Sequence, residues 1–315
     1  MVKPASVSAE PSAFREHAVR MVTLGHRGEQ MAVHVAGRLA SDRTPLLCIP
    51  GYNRNMADFA AFVPLLQRLM KSDWPVVLVD LRGRGRSTRR RRADDYTTLN
   101  DARDLSMLCR ALGLETAVVL GQGHGGQVAM ALALERPAVI AGAILVDAGP
   151  VTAPESLIRL RNNIGAIAGL KGAGGLTVML RRMLAADYPG LDGAELDRLA
   201  ARTHVIEPSG RAGPLFDPAL IARLKDFSHE DVLTPQWPFF DLLREVPLML
   251  LRTELTDQLP RPVLEQMLER RPDALGLAIT RQGSPALLDR SDEVSAIAEF
   301  IRRIGHPRER TTRRG

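Results

Sequence analysis

Residues 118–126 carry the clearest chemical pattern in the chain, because two different sites can be read from their glycines. The run Gly121-Gln-Gly-His-Gly-Gly126 follows an apolar strand-like segment, and Asp147 lies about twenty residues further on. This is the outline of a G-x-G-x-x-G dinucleotide-binding turn. The same residues match a nucleophile elbow, G-x-S-x-G, with Gly123 in the place of the serine. The first interpretation predicts a nicotinamide or flavin enzyme, and the second a hydrolase scaffold without its nucleophile.

The composition is that of an ordinary globular protein. A chain of 315 residues with 45% apolar and 25% charged residues fits one large α/β domain, or a core with an inserted subdomain. Residues 1–17 resemble a loose leader without the apolar core of a signal peptide, and no apolar run is long enough to span a membrane. The two cysteines, Cys48 and Cys109, form no disulfide framework, so we expect a cytoplasmic protein.

The net charge of +6 comes from two arginine clusters. One is Arg89–Arg92, and the other has four arginines within residues 308–314; without these eight the formal charge is −2. We predict a solvated loop and a disordered tail. The alternative is an electrostatic binding site for nucleic acid or anionic lipid. This alternative is disfavoured, because the Arg89–Arg92 cluster has no aromatic residues for base stacking and Asp94 and Asp95 follow it closely.

Short apolar runs alternate with helical periodicity over the first 150 residues, which indicates βαβ units and a parallel sheet. The predicted strands are 18–24, 30–37, 45–49, 76–80, 116–120 and 141–146, and the predicted helices are 56–70, 99–112 and 126–135. From 150 to 244 the chain is predicted to be mainly helical. Strands at 246–251 and 275–279 and helices at 261–271 and 293–303 complete the pattern.

This order resembles the α/β-hydrolase family, in which a helical cap follows the sixth strand. The similarity rests on several segments in the family's order: Leu47-Cys-Ile-Pro-Gly-Tyr52, Asp80-Leu-Arg-Gly-Arg-Gly-Arg-Ser87, residues 118–126, residues 142–150, Phe216-Asp-Pro218, Trp237-Pro-Phe-Phe-Asp241, and Val246–Arg252 followed by Thr256-Asp257. It implies an α/β-hydrolase core over residues 18–150 and 245–303, a helical cap over 151–244 and a basic tail over 304–315. It also favours the elbow, since a dinucleotide turn usually follows the first strand of its sheet.

The resemblance implies positions for a catalytic triad and an oxyanion hole. Asp257 takes the acid position, although it is also suited to cap the helix that follows. Gly123 takes the nucleophile position and has no side chain. The histidine position falls on Gly283 if the motif is aligned on Pro285, or on Ser284 if it is aligned on the glycine. Neither is an imidazole.

The oxyanion donors implied by the resemblance are the backbone N–H groups of Tyr52 and His124. The His124 side chain is expected to point away from the nucleophile position. His306 comes about twenty residues after the histidine position, and the remaining histidines are interpreted as surface or core residues.

Loss of the serine or histidine from such a triad lowers turnover about a millionfold, and loss of both costs little more. The sequence therefore favours a non-catalytic α/β-hydrolase-fold protein that binds a small carboxylate, ester or lactone. Two alternatives stay open: a hydrolase or lyase that uses water activated by Asp257 or a cap histidine, and a dinucleotide-dependent enzyme. A further alternative is a closed, packed cleft in a protein that serves only for contacts with other molecules. No metal or cofactor is expected, and no feature indicates an oligomeric state.

Overall fold

The computed structural model describes residues 18–25, 28–39, 42–168, 173–206, 212–225, 227–228 and 233–305. The leader predicted over 1–17 lies outside the described residues, as do His306 and the rest of the predicted tail from 306 to 315. In the part that is described, no helix is both long and apolar enough to cross a membrane.

A central eight-stranded sheet organises the molecule, in the order β1-β2-β4-β3-β5-β6-β9-β10. Its strands are β1 (Val19–Thr23), β2 (Gln30–Ala36), β3 (Leu46–Ile49), β4 (Val76–Val79), β5 (Ala117–Gln122), β6 (Ile140–Val146), β9 (Leu248–Thr253) and β10 (Leu275–Ile279). Two further strands, β7 (His204–Ile206) and β8 (Ala212–Pro214), form a separate antiparallel pair. Only the pairings of β2 with β1 and with β4 are antiparallel; the other pairings in this sheet are parallel. The predicted fold class, a mostly parallel sheet flanked by helices, is confirmed.

Helices cover both faces of the sheet. They are α1 (Phe62–Met70), α2 (Thr98–Ala111), α3 (His124–Glu135), α4 (Pro154–Ala168), α5 (Ala173–Asp187), α6 (Gly193–Ala200), α7 (Ala219–Ala222), α8 (Trp237–Asp241), α9 (Arg261–Arg270) and α10 (Ser291–Ile304). One apolar cluster joins α2, α3 and α9 to the sheet, and a second joins α1 and α10 to its other face. Because both faces are covered, the central strands are buried apolar runs, such as Val-Val-Leu-Val in β4.

The amphipathic pattern of α10 shows how the sequence sets this packing. Val294, Ile297, Ala298 and Ile301 are buried at helical spacing, and they form the stripe that faces the sheet. Complete burial of one such aliphatic side chain contributes about 1.5–3 kcal/mol. The stripe therefore fixes which face of α10 points inward.

Residues 151–244, here called the insertion, hold α4 to α8 between β6 and β9. The prediction of a mainly helical segment omitted the β7–β8 pair, whose strands have only three residues each. A second correction concerns residues 56–70, which were predicted as one helix. They form a 3-10 turn over Met56–Phe59 and then α1, because the Asp80 carboxylate holds the N–H of Met56 at 2.8 Å and Asn55 caps the turn.

Candidate active site

The turn between β5 and α3 has the conformation of an elbow. Gly123 has φ 52° and ψ −117°, in the region that favours glycine, and α3 begins immediately after it at His124. The helix thus starts two residues before the predicted position. The Gly123 N–H donates to the carbonyl of Val146 at 2.8 Å, which ties the turn to the end of β6.

The other glycines of the motif allow the helix and strands to approach one another. A Cβ atom on Gly121 would lie 2.4 Å from the backbone of Gly125, and a Cβ on Gly125 would lie 2.2 Å from the carbonyl oxygen of Ile49. The G-x-G-x-x-G spacing is therefore explained by backbone packing at the elbow, with no phosphate required.

The side chain of Gln258 lies over Gly123. A Cβ atom built on Gly123 would be 2.3 Å from Gln258 Oε1 and 3.4 Å from its Cδ. The space into which a nucleophile's side chain would project is thus taken by a neutral amide. Sequence reasoning missed Gln258, since nothing in the local pattern around residue 258 indicates a contact with residue 123.

Asp257 is paired with an arginine of the insertion. Arg159, on α4, donates from Nε to Asp257 Oδ2 at 2.6 Å and from Nη2 to Oδ1 at 2.9 Å, and its Nη1 contacts both carboxylate oxygens of Asp187 at 3.0 Å. No imidazole in the described part of the chain bonds Asp257. The alternative role as a helix cap is wrong, because α9 has Pro260 at its N-cap and no side-chain cap. Asp257 links the insertion to the core.

The two candidates for the histidine position, Gly283 and Ser284, contact different parts of the molecule. Ser284 faces the cavity described below, and its Oγ contacts Thr256 Oγ1 at 2.8 Å and Asp147 Oδ2. Gly283 contacts the insertion instead, with its N–H donating to the Asp187 carbonyl at 2.6 Å. Alignment on the glycine therefore identifies Ser284 as the residue that reaches the site.

Asp147 is a further carboxylate of the site whose contacts the sequence did not reveal. It lies just after β6, is buried, and accepts hydrogen bonds from the N–H and Oγ1 of Thr253, each at 2.7 Å, and from Ser284. Burial raises the pKa of this carboxyl, although these hydrogen bonds oppose the shift. Asp147 thus joins the carboxyl ends of β6 and β9 to the loop after β10. An acid directly after a buried parallel strand is a signal that could have identified it.

Tyr52 and His124, the predicted oxyanion donors, lie together at the wall of the cavity. Their rings are 5.2 Å apart and nearly perpendicular. The Tyr52 hydroxyl donates to the Leu220 carbonyl at 3.0 Å, and His124 Nε2 lies 3.0 Å from Asp101 Oδ2. The His124 side chain lines the cavity, and its Nε2 is turned towards Asp101. Its expected direction away from the nucleophile position stays a prediction. The oxyanion role of the two backbone N–H groups stays a prediction.

Asp101 is the centre of a buried charge network. Arg84 Nη1 lies 3.1 Å from its carboxylate and Arg90 Nη2 lies 2.7 Å from it, and Arg90 also pairs with Asp104. Burial opposes ionisation of Asp101, but Arg84, His124 and Arg90 together hold its pKa well below the usual range. The prediction of a solvated arginine loop is wrong for Arg90, whose side chain is 5% exposed. The Arg90 side chain is buried because it pairs with Asp101 and Asp104.

A cavity of about 570 Å³ lies between the elbow and the insertion. Its polar end has Tyr52, Gly123, His124, Asp257, Gln258 and Ser284, and its apolar walls include Leu157, Leu160, Ile164, Leu180, Met183 and Phe227. The volume is in the range of sites for small molecules. Across the described residues, no three His, Cys, Asp or Glu side chains are grouped so that they could hold a metal ion.

His204 also lines this cavity and gives the fold a pH dependence. It is buried, its ring packs edge-on against Phe216, and burial followed by the charge of Arg54 lowers its pKa to about 4. The unfolded chain takes up this proton near pH 6.5, so stability is lost as the pH falls below that value.

We expect His204→Gln to remove this penalty. Between pH 7 and pH 5 the stability of the wild type should fall relative to the variant by about 2 kcal/mol, measured by urea unfolding at both pH values. The wild type and the variant share all other titrating groups, so the contributions of those groups to the pH dependence of stability cancel when the two proteins are compared. A difference between the two proteins that is the same at pH 7 and pH 5 would contradict the assignment.

Comparison with known proteins agrees with this geometry. Residues 44–167 match the family model of the alpha/beta hydrolase fold. The chain is 30% identical to an alpha/beta hydrolase from Novosphingobium aromaticivorans of known crystal structure, with a TM-score of 0.77, covering 91% of this chain and 99% of that one. The chain belongs to the α/β-hydrolase family.

Curated relatives match over shorter segments. RutD of Caulobacter segnis, assigned as a carbamate hydrolase, is 36% identical over 88 residues, which are 28% of this chain and 33% of that protein. The 3-hydroxybutyrate-oligomer hydrolase of Cupriavidus necator is 33% identical over 141 residues, 45% of each chain. The chain thus spans a third to a half of the length of these relatives. This protein is related to esterases and carbamate hydrolases.

Proposed function

We propose that this protein binds a small molecule in the cavity beneath the insertion and forms no acyl-serine intermediate there. The observation that carries the proposal is the Gln258 amide over Gly123, in the space that a nucleophile requires. Family members that cleave esters through a serine need a hydroxyl at this turn and an imidazole beside it. In this chain the two positions hold glycine and Gly283 or Ser284.

The partner of the acid supports the same proposal. In a triad the acid holds an imidazole in its productive tautomer. Here both Asp257 oxygens accept from Arg159, so the carboxylate fastens α4 to the core. We propose that residues 151–244 act as a cap whose apolar side chains cover a bound ligand.

The proposal is tested by measuring binding and turnover on one panel of small esters, lactones, carbamates and carboxylates, with NAD and FAD included. We expect thermal stabilisation by at least one small organic compound, no effect of NAD or FAD, and no ester hydrolysis above background. Turnover well above background that is lost in Asp257→Ala would overturn the proposal. Stabilisation by a dinucleotide that is lost in Gly121→Ala would favour the dinucleotide interpretation instead.

The pair formed by His124 and Asp101 supports a second candidate, a hydrolase or lyase that activates water. His124 Nε2 lies 3.0 Å from Asp101 Oδ2, and no described residue bonds its Nδ1. In the tautomer that donates from Nε2 to Asp101, Nδ1 is a hydrogen-bond acceptor. Of the groups predicted to activate water, Asp257 is held by Arg159 and His204 is buried. Turnover that is lost in His124→Gln and kept in Asp257→Asn would identify this mechanism.

A further inference from the structure

Gln258 presents its amide at the polar end of the cavity. Its backbone N–H donates to Thr256 Oγ1 at 3.1 Å, and Arg252 holds the same loop through the Leu259 carbonyl at 2.8 Å. The backbone of Gln258 is therefore fixed by its own loop. In the described part of the chain, neither Oε1 nor Nε2 of this side chain has a hydrogen-bond partner. One acceptor and one donor thus stand side by side over Gly123.

A second amide lies directly next to Gly123 in the chain. Gln122 lines the same cavity and is 2% exposed; its Nε2 donates to the Ala286 carbonyl at 3.3 Å. Its Oε1 is buried, and no described residue donates to it. A buried acceptor without a donor is costly, but this atom is closed off from the cavity, so the recognition of a ligand falls to Gln258.

Two of the three arginines in the cavity wall are paired with carboxylates. Arg54 is paired with Asp58, and Arg159 with Asp187 and Asp257. Arg223, from the insertion, donates to the carbonyls of Asp94 and Tyr96. An anionic ligand would have to compete with these carboxylates for Arg54 or Arg159, whereas a neutral polar group meets the Gln258 amide directly.

We propose that the cavity selects a neutral ligand with a carboxamide-type group, in which an N–H lies beside a C=O, attached to an apolar chain. Gln258 Oε1 accepts the ligand N–H and Gln258 Nε2 donates to its carbonyl, while the apolar part packs against the insertion. This inference rests on the proposed function and narrows its ligand class. Esters and lactones have the carbonyl but no N–H, so they leave the acceptor of Gln258 unmatched.

Calorimetric titration of the full-length protein with four compounds that share one alkyl chain tests this inference. The compounds are hexanamide, pentyl carbamate, methyl hexanoate and hexanoate. We expect the amide and the carbamate to bind about tenfold more tightly than the ester and the carboxylate, the effect of one net hydrogen bond. Gln258→Met should abolish that preference. The same substitution at Gln266, an exposed glutamine on α9, should leave it unchanged.

The outcomes separate this inference from the proposal on which it rests. Tighter binding of methyl hexanoate or hexanoate overturns the ligand class and leaves the binding function standing. An amide preference that survives in a folded Gln258→Met overturns the assignment of ligand recognition to Gln258. Absence of binding by all four compounds overturns this inference, whereas absence of stabilisation by every compound of the wider panel overturns the proposed function. Thermal melting of each variant shows whether it is folded.

Discussion

Asp101→Asn is expected to lower the free energy of unfolding by about 3–5 kcal/mol, because it removes the charge that compensates two buried guanidinium groups. Arg84 and Asp101 have side chains that are each 1% exposed, and Arg90 is 5% exposed. Asparagine keeps the shape of the side chain but leaves Arg84 without its carboxylate and Arg90 with Asp104 alone. Urea unfolding at pH 7 measures the loss.

Asp94→Asn is the matched control for this substitution. Asp94 lies near the same arginine cluster, but its side chain is 80% exposed and 3.9 Å from Arg92. Such a pair contributes about 0–1 kcal/mol, so its loss should be hard to detect. A loss below about 1 kcal/mol for Asp101→Asn would show that the network does not hold the Arg90 loop against the core.

Gly125→Ala is expected to destabilise the fold by about 3 kcal/mol or more. The added methyl would lie 2.2 Å from the carbonyl oxygen of Ile49 and 2.6 Å from that of Pro50, so the backbone of a central strand would have to move. Such overpacking costs about 1–3 kcal/mol and sometimes more, and a rigid backbone neighbour places this site at the upper end. Thermal or urea unfolding provides the measurement.

Gly165→Ala is a control for which we expect the opposite effect on stability. Gly165 lies in α4, and a Cβ there would meet nothing within 4 Å. Alanine should stabilise this helix by about 0.5–1 kcal/mol. If Gly125→Ala proved as harmless as Gly165→Ala, the close approach of α3 to β3 would be contradicted.

The strands of the sheet were predictable from the sequence because they are buried on both faces. Runs such as Leu46–Ile49 and Val76–Val79 are continuously apolar, and the prediction for β10 matches Leu275–Ile279 in full. The β7–β8 pair was not predictable, since its strands are too short to show a period. Local hydrogen bonds to Asn55 and Asp80 also interrupted a helical pattern that periodicity alone would continue.

The candidate site was only partly predictable, because its decisive contacts join distant parts of the chain. The elbow conformation of Gly123 followed from its motif, and the structure has the expected positive φ. The pairing of Arg159 with Asp257 spans 98 residues, and the contact of Gln258 with Gly123 spans the insertion. Neither pair has a local signature. The glycine at 123 led to the hypothesis that no nucleophile is needed there, and the contact with Gln258 supports that proposal.

Intact-protein mass spectrometry after incubation with a fluorophosphonate tests the central claim most directly. Such a probe forms a covalent adduct with an activated serine, and Ser284 is the cavity serine in contact with a buried carboxylate. We predict that the mass of the wild type stays unchanged under conditions that label a serine esterase completely. A single adduct that is absent in Ser284→Ala would contradict the account, since it would show that a nucleophile has been relocated rather than lost.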